Sequence, residues 1–174
     1  MPSTYTLIKG ETLASSAASY TFSAIPSTFT DLVLRVSGRF DISNNGGRLR
    51  FNGDSSALYS WNRVTAISIA EASNNTTYGS PYDTFVYFPG VNSSTTTADT
   101  FSNNEMYLPN YTASAHKPVM LNNVMEQNTT SAGITMLAGL YRSTTAISSI
   151  ALTSDGGGNW VSGSSFYLYG VKNS

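Results

Sequence analysis

The chain never sustains a helical period. No window of about a dozen residues places apolar side chains at i, i+3, i+4 and i+7. Strong helix formers are scarce, with four Glu and three Lys in 174 residues. What recurs instead is a short run of Val, Ile, Leu, Tyr or Phe, closed by a cluster of Ser, Thr, Asn or Gly. β-branched and aromatic residues suit a pleated surface, and the small polar residues suit turns.

The runs fall at 4–11, 19–23, 31–38, 48–51, 65–70, 83–88, 101–108, 118–127, 134–142, 147–153 and 166–172. The segment 55–63 reads as either a strand or one helical turn. In 31–38, Leu32, Leu34 and Val36 alternate with Val33, Arg35 and Ser37, the two faces of one strand. The breaks include Asn44-Asn45-Gly46-Gly47, residues 92–98, and Asp155-Gly156-Gly157-Gly158-Asn159, which reads as a flexible hairpin tip. No repeat of 20–50 residues and no linker divides the chain, so 1–174 is expected to be one domain. Strands at this spacing predict an all-β jelly-roll sandwich of about eight to ten antiparallel strands, with few or no helices. An immunoglobulin-like sandwich is the alternative, although its usual Cys–Trp–Cys spacing cannot occur in a chain without cysteine.

Composition narrows the function. Hydrophobic residues make up 40% of the chain and aromatics 12%, too much for disorder. Charged residues are only 11%, and Ser, Thr and Asn together fill 63 of the 174 positions. A net charge of −1 gives no bulk attraction to nucleic acid or to an anionic membrane. The first 30 residues contain a single basic side chain, Lys9, so no genome-packaging arm is expected there. No apolar run is long enough to span a membrane as a helix. The start, Met1-Pro2-Ser3-Thr4-Tyr5, lacks the features of a secretory signal, so export by the general secretory route is not expected.

Catalytic constellations are hard to assemble. The one histidine, His116, is the only side chain with an ordinary pKa near neutrality, and no G-x-S-x-G elbow accompanies it. The carboxylates are scattered at turns and strand ends without a preferred pair. Asp41-Ile42-Ser43-Asn44-Asn45-Gly46 resembles half a calcium loop, but position twelve would be Asn52 instead of glutamate. The expectation is a non-enzymatic protein without a cofactor or metal. The basic cluster Arg35, Arg39, Arg48, Arg50 and Arg63 is interleaved with acids and reads as a subunit contact or a solvated face. The aromatic residues Tyr59, Trp61, Tyr78, Tyr82, Tyr87 and Trp160 could face a sugar or a partner protein.

Two segments carry a resemblance. One runs from Tyr20-Thr21-Phe22 through Asp31-Leu32-Val33-Leu34-Arg35 to Arg50-Phe51-Asn52-Gly53-Asp54 and Tyr59-Ser60-Trp61. The other is Ile147–Leu152 with Gly163–Lys172, including Leu168-Tyr169-Gly170-Val171-Lys172. Together they resemble small structural proteins of tailed-phage virions, notably cyanophage-like ones, of the capsid decoration (cement) or tail-fibre type. The resemblance implies a homotrimeric protein on the capsid exterior that contacts the major capsid protein or other virion proteins. The alternative it implies is a receptor- or glycan-binding subunit of a tail fibre or spike, with a host glycan as ligand. Neither implies a membrane or direct nucleic-acid contact.

The residues expected at such an interface are Arg48, Arg50, Tyr59, Trp61, Tyr82, Tyr87, Trp160, Tyr167 and Tyr169. Runs 32–36, 85–88 and 166–171 look apolar on both faces, which predicts buried strands and a surplus of apolar surface for another subunit. That contact is expected to be rich in Tyr, Ser and Thr.

Overall fold

Twelve strands form among the described residues, most of them along runs that alternate apolar and polar side chains. The computed structural model describes residues 4–43, 46–69, 72–128 and 132–172. The strands are β1 (Tyr5–Thr12), β2 (Ser19–Phe22), β3 (Asp31–Gly38), β4 (Gly47–Phe51), β5 (Tyr59–Ile69) and β6 (Ala72–Asp83), then β7 (Val86–Phe88), β8 (Ser102–Leu108), β9 (Lys117–Glu126), β10 (Ala132–Tyr141), β11 (Ile150–Ser154) and β12 (Ser165–Val171). No helix occurs among the described residues. The strands form two antiparallel sheets. One has eight strands in the order β1-β12-β3-β8-β9-β10-β5-β6, and the other has four in the order β2-β11-β4-β7. The protein is an all-β sandwich.

The core lies between the four-stranded sheet and the β12-β3-β8 side of the larger one. Leu32, Leu34 and Val36 of β3 point inward with Phe166 and Leu168 of β12 and Met106 and Leu108 of β8. Leu49, Phe51, Ile150 and Leu152 meet them from the smaller sheet. Trp160 sits at the centre, with ring centroids 4.3 Å from Phe40 and 5.0 Å from Phe166. Its indole N–H donates to the Leu152 carbonyl at 3.3 Å, so the one polar atom of the ring is satisfied. Tyr20 stacks on Phe166 at 4.1 Å, and its hydroxyl reaches Glu11. Burial of the phenol, then the hydrogen bond to Glu11, push the Tyr20 pKa well above its ordinary value.

Several expectations change. The strand count is twelve, not eight to ten. The added element is β6, whose sequence Ala-Ser-Asn-Asn-Thr-Thr-Tyr-Gly-Ser-Pro-Tyr-Asp carries no apolar alternation. It forms because it pairs along almost its whole length with β5. The ambiguous segment 55–63 becomes strand from Tyr59 onward. The stretch 155–159 is no hairpin tip: it crosses from β11 in one sheet toward β12 in the other. Both ends of it are held, by the Arg48–Asp155 ion pair at 2.6 Å and by Asp41, which accepts from the Asn159 N–H at 2.7 Å. Asn44 and Asn45 of the expected turn and half calcium loop lie outside the described residues, as does Ala70 at the end of run 65–70.

The Phe51-Asn52-Gly53-Asp54 segment forms the tight turn its sequence suggests. Asn52 and Gly53 have φ of 54° and 67°, and the Asp54 N–H donates to the Phe51 carbonyl at 2.9 Å. The Asn52 side chain then accepts from the N–H groups of Ser148 and Ser149 and donates to the Ala146 carbonyl. Asp54 accepts from Ser56 and from the Tyr141 hydroxyl at 2.7 Å. One turn thereby joins the approach to β11 and the end of β10.

Candidate functional site

The nine residues expected at an interface separate into four groups. Tyr59 and Trp160 are fully buried, so both belong to the core and neither reaches a surface. Their aromatic rings were drawn inward by the same chemistry that makes aromatics good interface residues. The Tyr59 hydroxyl donates to the Asp54 carbonyl at 3.1 Å and accepts from the Phe51 N–H. Burial raises its pKa far above the ordinary value. Arg48 and Arg50 do share one strand face, but each is occupied within the chain. Arg48 binds Asp155, Arg50 donates to the Thr84 carbonyl at 3.0 Å, and both lie against the Phe85 ring.

Tyr167 and Tyr169 come together on the outer face of the large sheet. Arg35 stands 5.8 Å from the Tyr169 ring centroid, and Tyr5 meets that ring edge-on at 6.5 Å. Trp61 and Tyr87 stack at 5.2 Å beside Arg63, while Tyr82 is 76% exposed with Arg142 over its ring.

The expected surplus of apolar surface exists, in another place. Val33, Val36, Val86, Phe88, Phe166 and Val171 are all buried within the chain. The outward apolar residues are Val64 on β5, Met120 and Val124 on β9, and Ile134 and Met136 on β10, each between 49% and 58% exposed. Register makes them one patch. Met136 is the direct cross-strand partner of Val64, and Ile134 is the partner of Val124. Met120 faces Ala138 in the same row. Strand alternation explains the exposure: Gly133, Thr135 and Leu137 take the inward positions of β10, so Ile134 and Met136 must point out.

Beside this patch the outer face is hollowed into a groove of about 740 Å³. Val124, Ile134 and Met136 form one side, and Tyr167 with Arg35 and Glu105 forms the other. Arg35 and Glu105 are direct partners across β3 and β8, bonded at 2.7 Å. The hydrogen bond and charge of Glu105 raise the Arg35 pKa. Asn122, which also lines the groove, holds Oδ1 without a partner.

A second, smaller cavity lies on the inner side of the same sheet. It measures about 130 Å³ and is lined by Arg63, Thr65, Gly90, Asn123, Gly133 and Thr135 together with Ile67 and Met125. The Arg63 guanidinium sits 4.3 Å from the Tyr87 ring centroid, 5.1 Å from Tyr78 and 5.9 Å from Trp61. Trp61 is fixed in turn by donating its indole N–H to Asp83 at 3.0 Å.

The carboxylates of the described residues are largely employed in holding the fold. Asp31 takes the Tyr107 hydroxyl at 2.7 Å and the Asn110 N–H, and that bond pushes the Tyr107 pKa up to about 12. Asp41 is held below the ordinary range, chiefly by the Asn159 N–H. Asp54 is held low chiefly by Ser56. Asp83 takes Trp61 and the Thr84 N–H. His116 is exposed. Lys117, beside it, is buried and donates to the carbonyls of Ala113 and Ala115, and burial lowers its pKa. No group of three His, Asp or Glu that could hold a metal occurs among the described residues.

No protein-family model, curated protein or solved structure matches this chain. The outer patch was the part that residue-by-residue reading missed. Its signal lay in residues 133–136, where Gly133 and Thr135 alternate with Ile134 and Met136. That alternation puts Gly133 and Thr135 on the inner face and Ile134 and Met136 on the outer one.

Proposed function

We propose that the protein is a non-enzymatic structural component of a phage virion, a capsid decoration protein that binds the outer shell as an oligomer, with a homotrimer as its working form. The observation that carries an assembly role is the apolar patch of Val64, Met120, Val124, Ile134 and Met136 on an outward sheet face. Contiguous apolar patches on outward faces mark interaction sites. A second copy of the chain suits this face electrostatically. The charged side chains that line its groove are Arg35 and Glu105, which neutralise each other, so identical faces meet without like-charge repulsion. The carboxylates, tied to backbone and hydroxyl donors, fit a scaffold better than a reaction centre.

The strand order supports the jelly-roll form of this proposal. β1-β12-β3-β8 opposite β2-β11-β4-β7 interleaves early and late strands as two packed Greek keys do, with β5-β6 and β9-β10 as added hairpins on one side. Location is tested by electron microscopy of a virion containing the protein: hundreds of copies on the shell support decoration, and a handful at the tail sink it.

A second reading, a receptor- or glycan-binding subunit of a tail fibre, draws on the grouping of Trp61, Tyr78 and Tyr87 around Arg63. A glycan array without signal above background removes it.

A further inference from the structure

We propose that Tyr5, Leu7, Tyr167 and Tyr169, at the β1-β12 end of the large sheet's outer face, form the second half of the trimer contact and seat on the apolar patch of β5, β9 and β10 in the next copy. This rests on the trimeric reading above and names the surface that reading leaves unassigned.

Symmetry sets the requirement. A two-fold contact brings a patch onto its own copy. A closed ring of three cannot: each chain meets one neighbour through one surface and the other neighbour through a different one. The patch of Val64, Met120, Val124, Ile134 and Met136 supplies one surface. A trimer needs another on the same chain, apolar enough to match it.

The same sheet face carries it. Leu7 of β1 is the direct cross-strand partner of Tyr169 of β12. Tyr5 and Leu7 are 51% and 52% exposed, and Tyr167 is 36% exposed. The tyrosines are held from within the chain. The Tyr5 and Tyr169 rings meet edge-on, and Arg35 stands against Tyr169. Gly10, the partner of Tyr167, makes room for that ring, because a Cβ there would fall 2.5 Å from it. Side chains fixed in advance lose less freedom on association.

The two surfaces suit each other. β3 and β8 lie between them and hold the Arg35–Glu105 pair, while neither set of residues includes a charged side chain. No ion must therefore be stripped of water where they meet. One surface is aromatic and fixed; the other has two methionines, whose flexible thioethers pack well against rings. Leu7 and Met136 stand on strands five spacings apart, roughly 24 Å along the sheet at about 4.8 Å each. That separation leaves space for one chain to touch two neighbours at once.

The test uses the absence of cysteine from the chain, which makes any introduced thiol unique. Leu7→Cys, Met136→Cys and the double variant are each treated with a short bismaleimide at micromolar concentration. The linker is too short to join the two positions within one chain. The double variant should give a covalent ladder on a denaturing gel that stops at three chains, and each single variant should stay uncrosslinked. Leu7→Glu should weaken self-association by tenfold or more in light scattering while keeping the parent's circular dichroism. Covalent dimers of Leu7→Cys alone would place like on like and overturn the proposal. A parent trimer that Leu7→Glu leaves intact, or a double variant without a ladder, overturns this surface and leaves the patch around Met136 in place. A parent dimer overturns the ring, and a parent monomer overturns the self-association reading with it.

Discussion

The body of the sandwich and the sheet extension made by β9, β10, β5 and β6 are dressed in opposite ways. In the body, Trp160, Phe40, Phe88, Phe166 and Tyr20 fill the space between sheets, and the outer side of β3 presents Arg35 and Ser37. In the extension the small sheet reaches only part of the inner face, where Val86 of β7 packs close to Gly139. Farther along, the inner positions are Asn123, Thr135, Gly133 and Thr65, with Ile67 and Met125, around a cavity, and Val64, Val124, Ile134 and Met136 are on the outside. The same alternation rule thus yields a self-sufficient core in one region and, in the other, an apolar surface turned to solvent.

The sharpest contrast comes from emptying one site in each region. Phe166→Ala should cost about 3–5 kcal/mol in chemical denaturation, because a fully buried ring is lost and its neighbours cannot fill the space. A shift near zero would contradict the body as described. On the extension, Met136→Glu should change the stability of the single chain by no more than about 0.5 kcal/mol. It should instead weaken self-association by tenfold or more (about 1.4 kcal/mol), read by light scattering at micromolar concentration against the 18.6 kDa chain mass. A parent protein that is already monomeric breaks the comparison at this point.

The joint between the regions gives a smaller, pH-dependent effect. Asp54 at the Phe51–Asp54 turn accepts from Ser56 and from Tyr141 at the end of β10, and these bonds hold its pKa below the ordinary value of about 3.9. A lowered folded pKa means stability that is present above about pH 4 and is lost as pH falls through the folded value. Asp54→Asn should therefore flatten the acid limb of a melting-temperature profile; an unchanged limb argues against the latch. Smallest of all is the exposed Arg35–Glu105 pair. Arg35→Ala should cost under about 1 kcal/mol, and less in added salt.

Much of the body could be read from the chain. The patterns of 31–38 and of 166–171 report strands inside a sheet, and β3 and β12 are interior neighbours, although Arg35 and Tyr167 on their outer face stay exposed. Asn52-Gly53 announced a turn with positive φ at both residues, which is what the chain adopts. β6 was illegible because pairing with β5, not its own side chains, makes it a strand. Tyr59 and Trp160 were misread because an aromatic residue is equally at home in a core and at an interface, and only the sheet packing distinguishes them. Arg48 and Arg50 looked available because their acceptors, Asp155 and the Thr84 carbonyl, are far away in sequence. The Arg63 cavity depends on Asn123 and Thr135 from two other strands, and nothing local to Arg63 signals them.

The strand order also sets when the protein can fold. β11 lies between β2 and β4, and β12 lies between β1 and β3. On a ribosome, those four early strands emerge roughly a hundred or more residues before β11 and β12, although β3 and β4 also have nearer partners in β8 and β7. At about 5–20 residues per second that is a wait of about 5–20 s or longer. The β5-β6 and β9-β10 pairs need only their own short connections and can form within microseconds of emerging. Synthesis thus produces the hairpins of the extension first, with their apolar side already facing outward, while the body stays open until its two central strands arrive. During that interval the nascent chain offers unpaired strand edges to its neighbours on a polysome.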